Sequence, residues 1–135
     1  MKRLFLLLFA CTIACVVTAQ EVITYTHTKT VLSSGEELEG GYNQLQVMFV
    51  GNQLRLPQFN NLTHLYDHQE NGWSVYYLAS WNNWSRQWIL HKTNWYSVSP
   101  DRKTLNCPGA TIGGFSSVLV YKQGVQHKSI GPMYE

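Results

Sequence analysis

The chain has 135 residues, with ten Lys and Arg against eight Asp and Glu. Lys2 and Arg3 account for the whole basic excess, so residues 20–135 are formally neutral. That balance argues against a nucleic-acid partner, which needs a basic face to displace counterions from phosphate. It argues equally against a polyacidic scaffold that holds calcium by charge density.

Residues 1–19 read as a secretory signal peptide. Lys2 and Arg3 form the charged start, Leu4-Phe5-Leu6-Leu7-Leu8-Phe9 opens the apolar stretch, and Val17-Thr18-Ala19 supplies small residues for cleavage. The apolar stretch is short for a spanning helix of roughly 20 residues, so no membrane association is expected. The expectation is a secreted, extracellular protein in which residues 20–135 form a single β domain. Two sequons, Asn61-Leu62-Thr63 and Asn83-Trp84-Ser85, make Asn61 and Asn83 candidate glycosylation sites.

Cys11 and Cys15 fall in the leader, which leaves Cys107 alone and rules out an internal disulfide after cleavage. In an oxidising compartment such a thiol either pairs with a second chain, giving a homodimer or a matrix cross-link, or is buried and inert. Its context, Asn106-Cys107-Pro108-Gly109, reads as an exposed turn.

The first element runs from Glu21, with Thr24, Thr26, Thr28 and Thr30 on one face and Ile23 and Tyr25 on the other. Ser33-Ser34-Gly35 closes it, and residues 36–41 read as an acidic turn. Leu45, Val47 and Phe49 alternate into Gly51-Asn52, a two-residue hairpin signal before Leu54-Arg55-Leu56. Pro57 ends that strand. Residues 64–68 and 73–78 form the next pair, joined through Asn71-Gly72. On the later strand Trp73, Val75, Tyr77, Ala79 and Trp81 share one face. Asn82-Asn83 reverses the chain into residues 86–91. Residues 97–114, punctuated by Pro100, Pro108, Gly109, Gly113 and Gly114, read as a long loop. Val118-Leu119-Val120-Tyr121 is a buried strand, and residues 124–135 are a polar tail. No stretch sustains helical periodicity. The fold class is all-β, an antiparallel β-sandwich or partly open barrel of about seven to eight strands.

All five Trp lie between residues 73 and 95, and so large an apolar mass in a small domain is expected to be mostly core. His64 and His68 flank Asp67, but on a regular strand the two histidines stand about 13 Å apart, four rises of about 3.3 Å. No metal site and no cofactor are expected, and both histidines read as exposed. No Gly-x-Ser-x-Gly elbow or HExxH helix is present, and acids are sparse, so a secreted hydrolase ranks last.

The sharpest functional feature is Trp81, Asn82, Asn83, Trp84 and Arg86 at a hairpin tip. Flat indole faces beside amides and a guanidinium suit sugar rings, which are apolar on their faces and hydroxylated at their rims. The series Gly41-Tyr42, Leu65-Tyr66, Gly72-Trp73 and Trp88-Ile89 resembles small β modules of secreted proteins in invertebrates and algae. That resemblance implies an extracellular matrix or surface role, including the organic matrix of shells and skeletons, and assigns no residue a role. The first expectation is a non-enzymatic binding protein for an extracellular polysaccharide or glycoprotein. The second is a structural component of a secreted or biomineral matrix.

Overall fold

The computed structural model describes residues 21–125. The signal peptide expected at residues 1–19 and most of the polar tail lie outside them. Nine strands follow in order: β1 (Glu21–Leu32), β2 (Glu37–Glu39), β3 (Gln44–Val50), β4 (Gln53–Leu56), β5 (Leu62–Glu70), β6 (Trp73–Asn82), β7 (Gln87–Val98), β8 (Thr104–Pro108) and β9 (Ser117–Gln123). A single 3-10 turn, Pro57–Phe59, joins β4 to β5. From β3 onward each strand pairs antiparallel with the next, and β1 pairs with both β3 and β9. The sheet therefore closes on itself. The architecture is an eight-stranded antiparallel barrel with β2 as an extra strand, the closed form of the barrel expected from sequence. An even strand number allows an up-and-down chain to close with every neighbour antiparallel.

The sequence favours this through tight reversals at one end. Asn71 and Gly72 adopt positive φ between β5 and β6, and Gly51 does so between β3 and β4. β2 lies along the same edge of β1 as β3, because β9 occupies the other edge at the same residues. Between β2 and β3 the chain kinks at residues 40–43, tied to β1 by Gly40 N–H to the Thr28 carbonyl (2.9 Å) and Tyr42 N–H to the His27 carbonyl (3.0 Å). A Cβ at Gly40 would collide with the His27 carbonyl oxygen, so only glycine fits there.

Three irregularities decide which side chains face inward. Register shifts between His27 and Lys29 in β1, so Ile23 and Tyr25 point in before the bulge, and Thr30 and Leu32 are buried after it. The single-face threonine pattern read from sequence is broken there. A second shift, between Tyr66 and His68, puts His64 and His68 on opposite faces of β5. The third lies in β7 and shapes the candidate site.

The interior is filled by Ile23, Tyr25, Val47, Phe49, Leu54, Tyr76, Val98, Leu105, Tyr121 and their neighbours. No Trp is among the buried residues, which corrects the expectation of a tryptophan core. Residues 97–114 also differ from the long loop expected. They hold the end of β7 and all of β8, where Leu105 and Cys107 point in and Thr104 and Asn106 point out. Cys107 is thus an inward strand residue, 7% exposed, rather than part of an exposed turn.

One end of the barrel is plugged. The buried Tyr25 hydroxyl donates to the Arg102 carbonyl at 2.6 Å, while the Arg102 guanidinium stacks 4.3 Å from the Phe49 ring centre and pairs with Glu21 at 2.6 Å. The Arg102 turn is fixed by Asp101, whose carboxylate accepts from the Lys103 N–H and the Ser99 hydroxyl and is held below its usual pKa by them. Tyr25→Phe keeps the ring and orphans that carbonyl. Urea unfolding should show a loss of about 1 to 2 kcal/mol with an unchanged denaturant slope.

Candidate functional site

At the opposite end the β6–β7 hairpin outgrows the barrel. Tyr77 faces Trp95, but the next residue, Leu78, faces His91, so Lys92, Thr93 and Asn94 have no partner on β6. β8 meets β7 only at Ser97 and Val98. Residues 79–90 consequently form a two-stranded arm. Trp81 and Trp88 face each other across it, with ring centres 5.4 Å apart and planes at 72°. Such edge-to-face pairs across strands stabilise a hairpin that has no sheet beside it.

The turn of the arm is built by Asn82. Its Oδ1 accepts hydrogen bonds from the Trp84 N–H (2.9 Å) and the Ser85 N–H (3.2 Å), and its carbonyl accepts from the Arg86 N–H (2.8 Å). Arg86 takes a left-handed φ of +54°, which closes the loop. Asn82 therefore holds the turn through its Oδ1 and its carbonyl. Trp84 is 98% exposed, and Asn83 and Arg86 are exposed beside it.

Alternation carries the aromatic run along the outer wall. Trp73, Val75, Tyr77, Ala79 and Trp81 share the outer face of β6, spanning roughly 26 Å at about 3.3 Å per residue. Trp95, Leu90 and Trp88 stand opposite Tyr77, Ala79 and Trp81 on β7. Midway along this face lies a groove of about 450 Å³, walled by Tyr77, Trp95 and Val118 and bordered by Glu70, Lys92, Ser97 and Asn106. The Lys92 ammonium sits 6.0 Å from the Tyr77 ring centre. Asn106 Oδ1 is buried with no hydrogen-bond partner.

A second concavity lies at the mouth of the barrel, about 200 Å³ in volume. It opens where β7 and β8 diverge and is lined by Leu62, His64, Leu78, Tyr96, Cys107 and Pro108, with Asn94 and Trp95 at its edge. His64 is 2% exposed, packed edge-on against Tyr96 with ring centres 4.7 Å apart. Burial pushes its pKa down to about 4, against a weak opposing pull from the Leu54 backbone. Burial likewise pushes the Cys107 thiol up to about 12, so both groups are neutral across the physiological range.

The two histidines expected on the surface thus separate. His64 is inside, whereas His68 lies outside and pairs with Asp67 at 2.7 Å. Of the sequon residues, Asn61 and Asn83 are exposed in turns, with the Thr63 hydroxyl donating to the Asn61 carbonyl at 2.9 Å. The groove and the mouth pocket were missed from sequence. The alternation from Trp73 to Trp81 was visible, but which face was outside could not be assigned before the core-forming Tyr76 was placed. Comparison with known proteins gives no family model, no curated protein and no solved structure that matches the chain.

The buried neutral imidazole makes stability pH-dependent. The unfolded ring protonates near 6.5 and the folded ring near 4, so between those values the unfolded chain binds more protons and stability falls as pH falls. The loss contributed by His64 should reach about 3 kcal/mol by pH 4. Urea midpoints measured across this window should decline less in His64→Phe than in the wild type.

Proposed function

We propose that the protein is a secreted, non-enzymatic binding protein that takes an extracellular polysaccharide or glycan along the outer face of β6 and β7 and over the tip of the arm. The observation that carries this reading is the placement of all five indoles outside the core, with Trp84 at 98% exposure. Exposed aromatic area on this scale is costly in a small soluble domain unless something covers it. Indole faces offer flat apolar platforms, and the exposed Asn83, Arg86, Glu70 and Lys92 beside them offer donors and acceptors for hydroxyls. The length of the face suits a chain of sugars better than a single ring. A role within a secreted matrix is compatible with this reading and would rest on the same face, since Cys107 is buried and points into the barrel.

Retention of the purified protein on chitin, cellulose and other insoluble polysaccharides tests the proposal, with a deglycosylated sample in parallel. Trp84→Ala and Trp88→Ala should each weaken retention on the bound polymer by about tenfold. Trp84→Ala should leave the unfolding midpoint almost unchanged, within about 0.5 kcal/mol. Retention equal to the wild type in both variants, or no retention on any polymer, overturns the reading.

A further inference from the structure

The mouth pocket is chemically unlike the outer face. Its walls are Leu62, Leu78, Pro108 and the Tyr96 ring, and its polar groups are uncharged. His64 lines it, and the Nδ1 atom of that ring is buried with no hydrogen-bond partner, although buried polar atoms in folded proteins are nearly always paired. We propose that this pocket binds an uncharged, single-ring molecule of the phenol class, with its ring against Leu62, Leu78 and Tyr96 and its hydroxyl donating to His64 Nδ1.

Size, polarity and charge each narrow the ligand. A volume of about 200 Å³ exceeds the roughly 150 Å³ cavity that accepts benzene in other proteins, and it is too small for a fused polycycle or a disaccharide. Aliphatic and aromatic walls select an apolar ring. The neutral imidazole and the un-ionised Cys107 thiol provide nothing to offset a buried charge, so a carboxylate or ammonium would enter at a heavy desolvation cost. A neutral imidazole carries one acceptor nitrogen, and a ligand with one donor satisfies it. Nδ1 has no accessible surface in the empty state, and a half-turn of the ring about Cβ–Cγ brings it to the pocket in the place of Cδ2. The divergence of β7 from β8 on the N-terminal side of Ser97 supplies the entrance. This site is independent of the sugar-binding reading, because it lies on the inner side of the wall that carries the indoles.

Titration of the ¹⁵N-histidine-labelled protein with phenol, toluene and benzoate tests the assignment. Phenol should saturate, bind about tenfold tighter than toluene, and move the His64 Nδ1 resonance, while benzoate should not bind. In His64→Phe, phenol and toluene should bind equally. Leu62→Trp, which fills the pocket from an exposed wall position, should abolish both without altering polysaccharide retention. Equal affinity for phenol and toluene in the wild type, benzoate binding as well as phenol, an unmoved His64 resonance, or no saturation by phenol each overturns the proposal. Should His64→Phe fail to fold, the wild-type resonance and Leu62→Trp decide the matter.

Discussion

Closing eight strands into a barrel fixes the space inside, and most of the molecule follows from that limit. Eight strands enclose room for about one layer of side chains or one small ligand. Tyr25, Phe49, Tyr76 and Tyr121 with a set of Leu, Val and Ile occupy most of it. Five indoles could not be added. Strand alternation offers them one other place, the outer wall, and Tyr76 in the core puts Trp73, Tyr77 and Trp81 there together.

The same limit explains why the interior is uneven. At the plugged end, Arg102 ties three groups to one residue through its carbonyl, its guanidinium face and its ion pair with Glu21. At the other end the wall separates. β4 meets β3 only at Met48 to Val50, and the Gln58 side-chain carbonyl accepts from the Gln46 N–H at 2.9 Å across the resulting gap. β7 leaves β8 after two paired residues, and that opening becomes the mouth pocket. Among the described residues, nine of the eleven exposed large apolar side chains cluster at this end, from Phe59 and Leu62 through the arm to Ile112 and Phe115. The polarity of the barrel is therefore a division between a sealed floor and an apolar rim.

The strands were legible in the sequence wherever alternation was regular and a turn dipeptide marked the end, as at Gly51-Asn52 and Asn71-Gly72. The arm and its exposed Trp84 were legible for the same reason. What escaped was decided by non-local pairing. A bulge flips the facing of every residue beyond it, and the bulges at Thr28 and Asp67 leave no signal in composition. They turned Thr30 inward and separated His68 from His64. β8 escaped because Pro108 and Gly109 mark a strand end as readily as a loop, and only β7 and β9 on either side show that Leu105 and Cys107 are interior.

Except for the pairings of β1 with β9 and with β3, every ladder joins strands adjacent along the chain and can zip from a local turn. The closing ladder, Tyr25 to Leu32 with Gln123 to Ser117, links nearly the two ends of the described chain. Local contacts are cheap to form and end-to-end contacts carry a larger loop entropy. Assembly of this domain is thus ordered by its topology: a curled sheet of hairpins comes first, and the joining of its two edges is the cooperative step that commits Tyr25 and the Arg102 plug to their places.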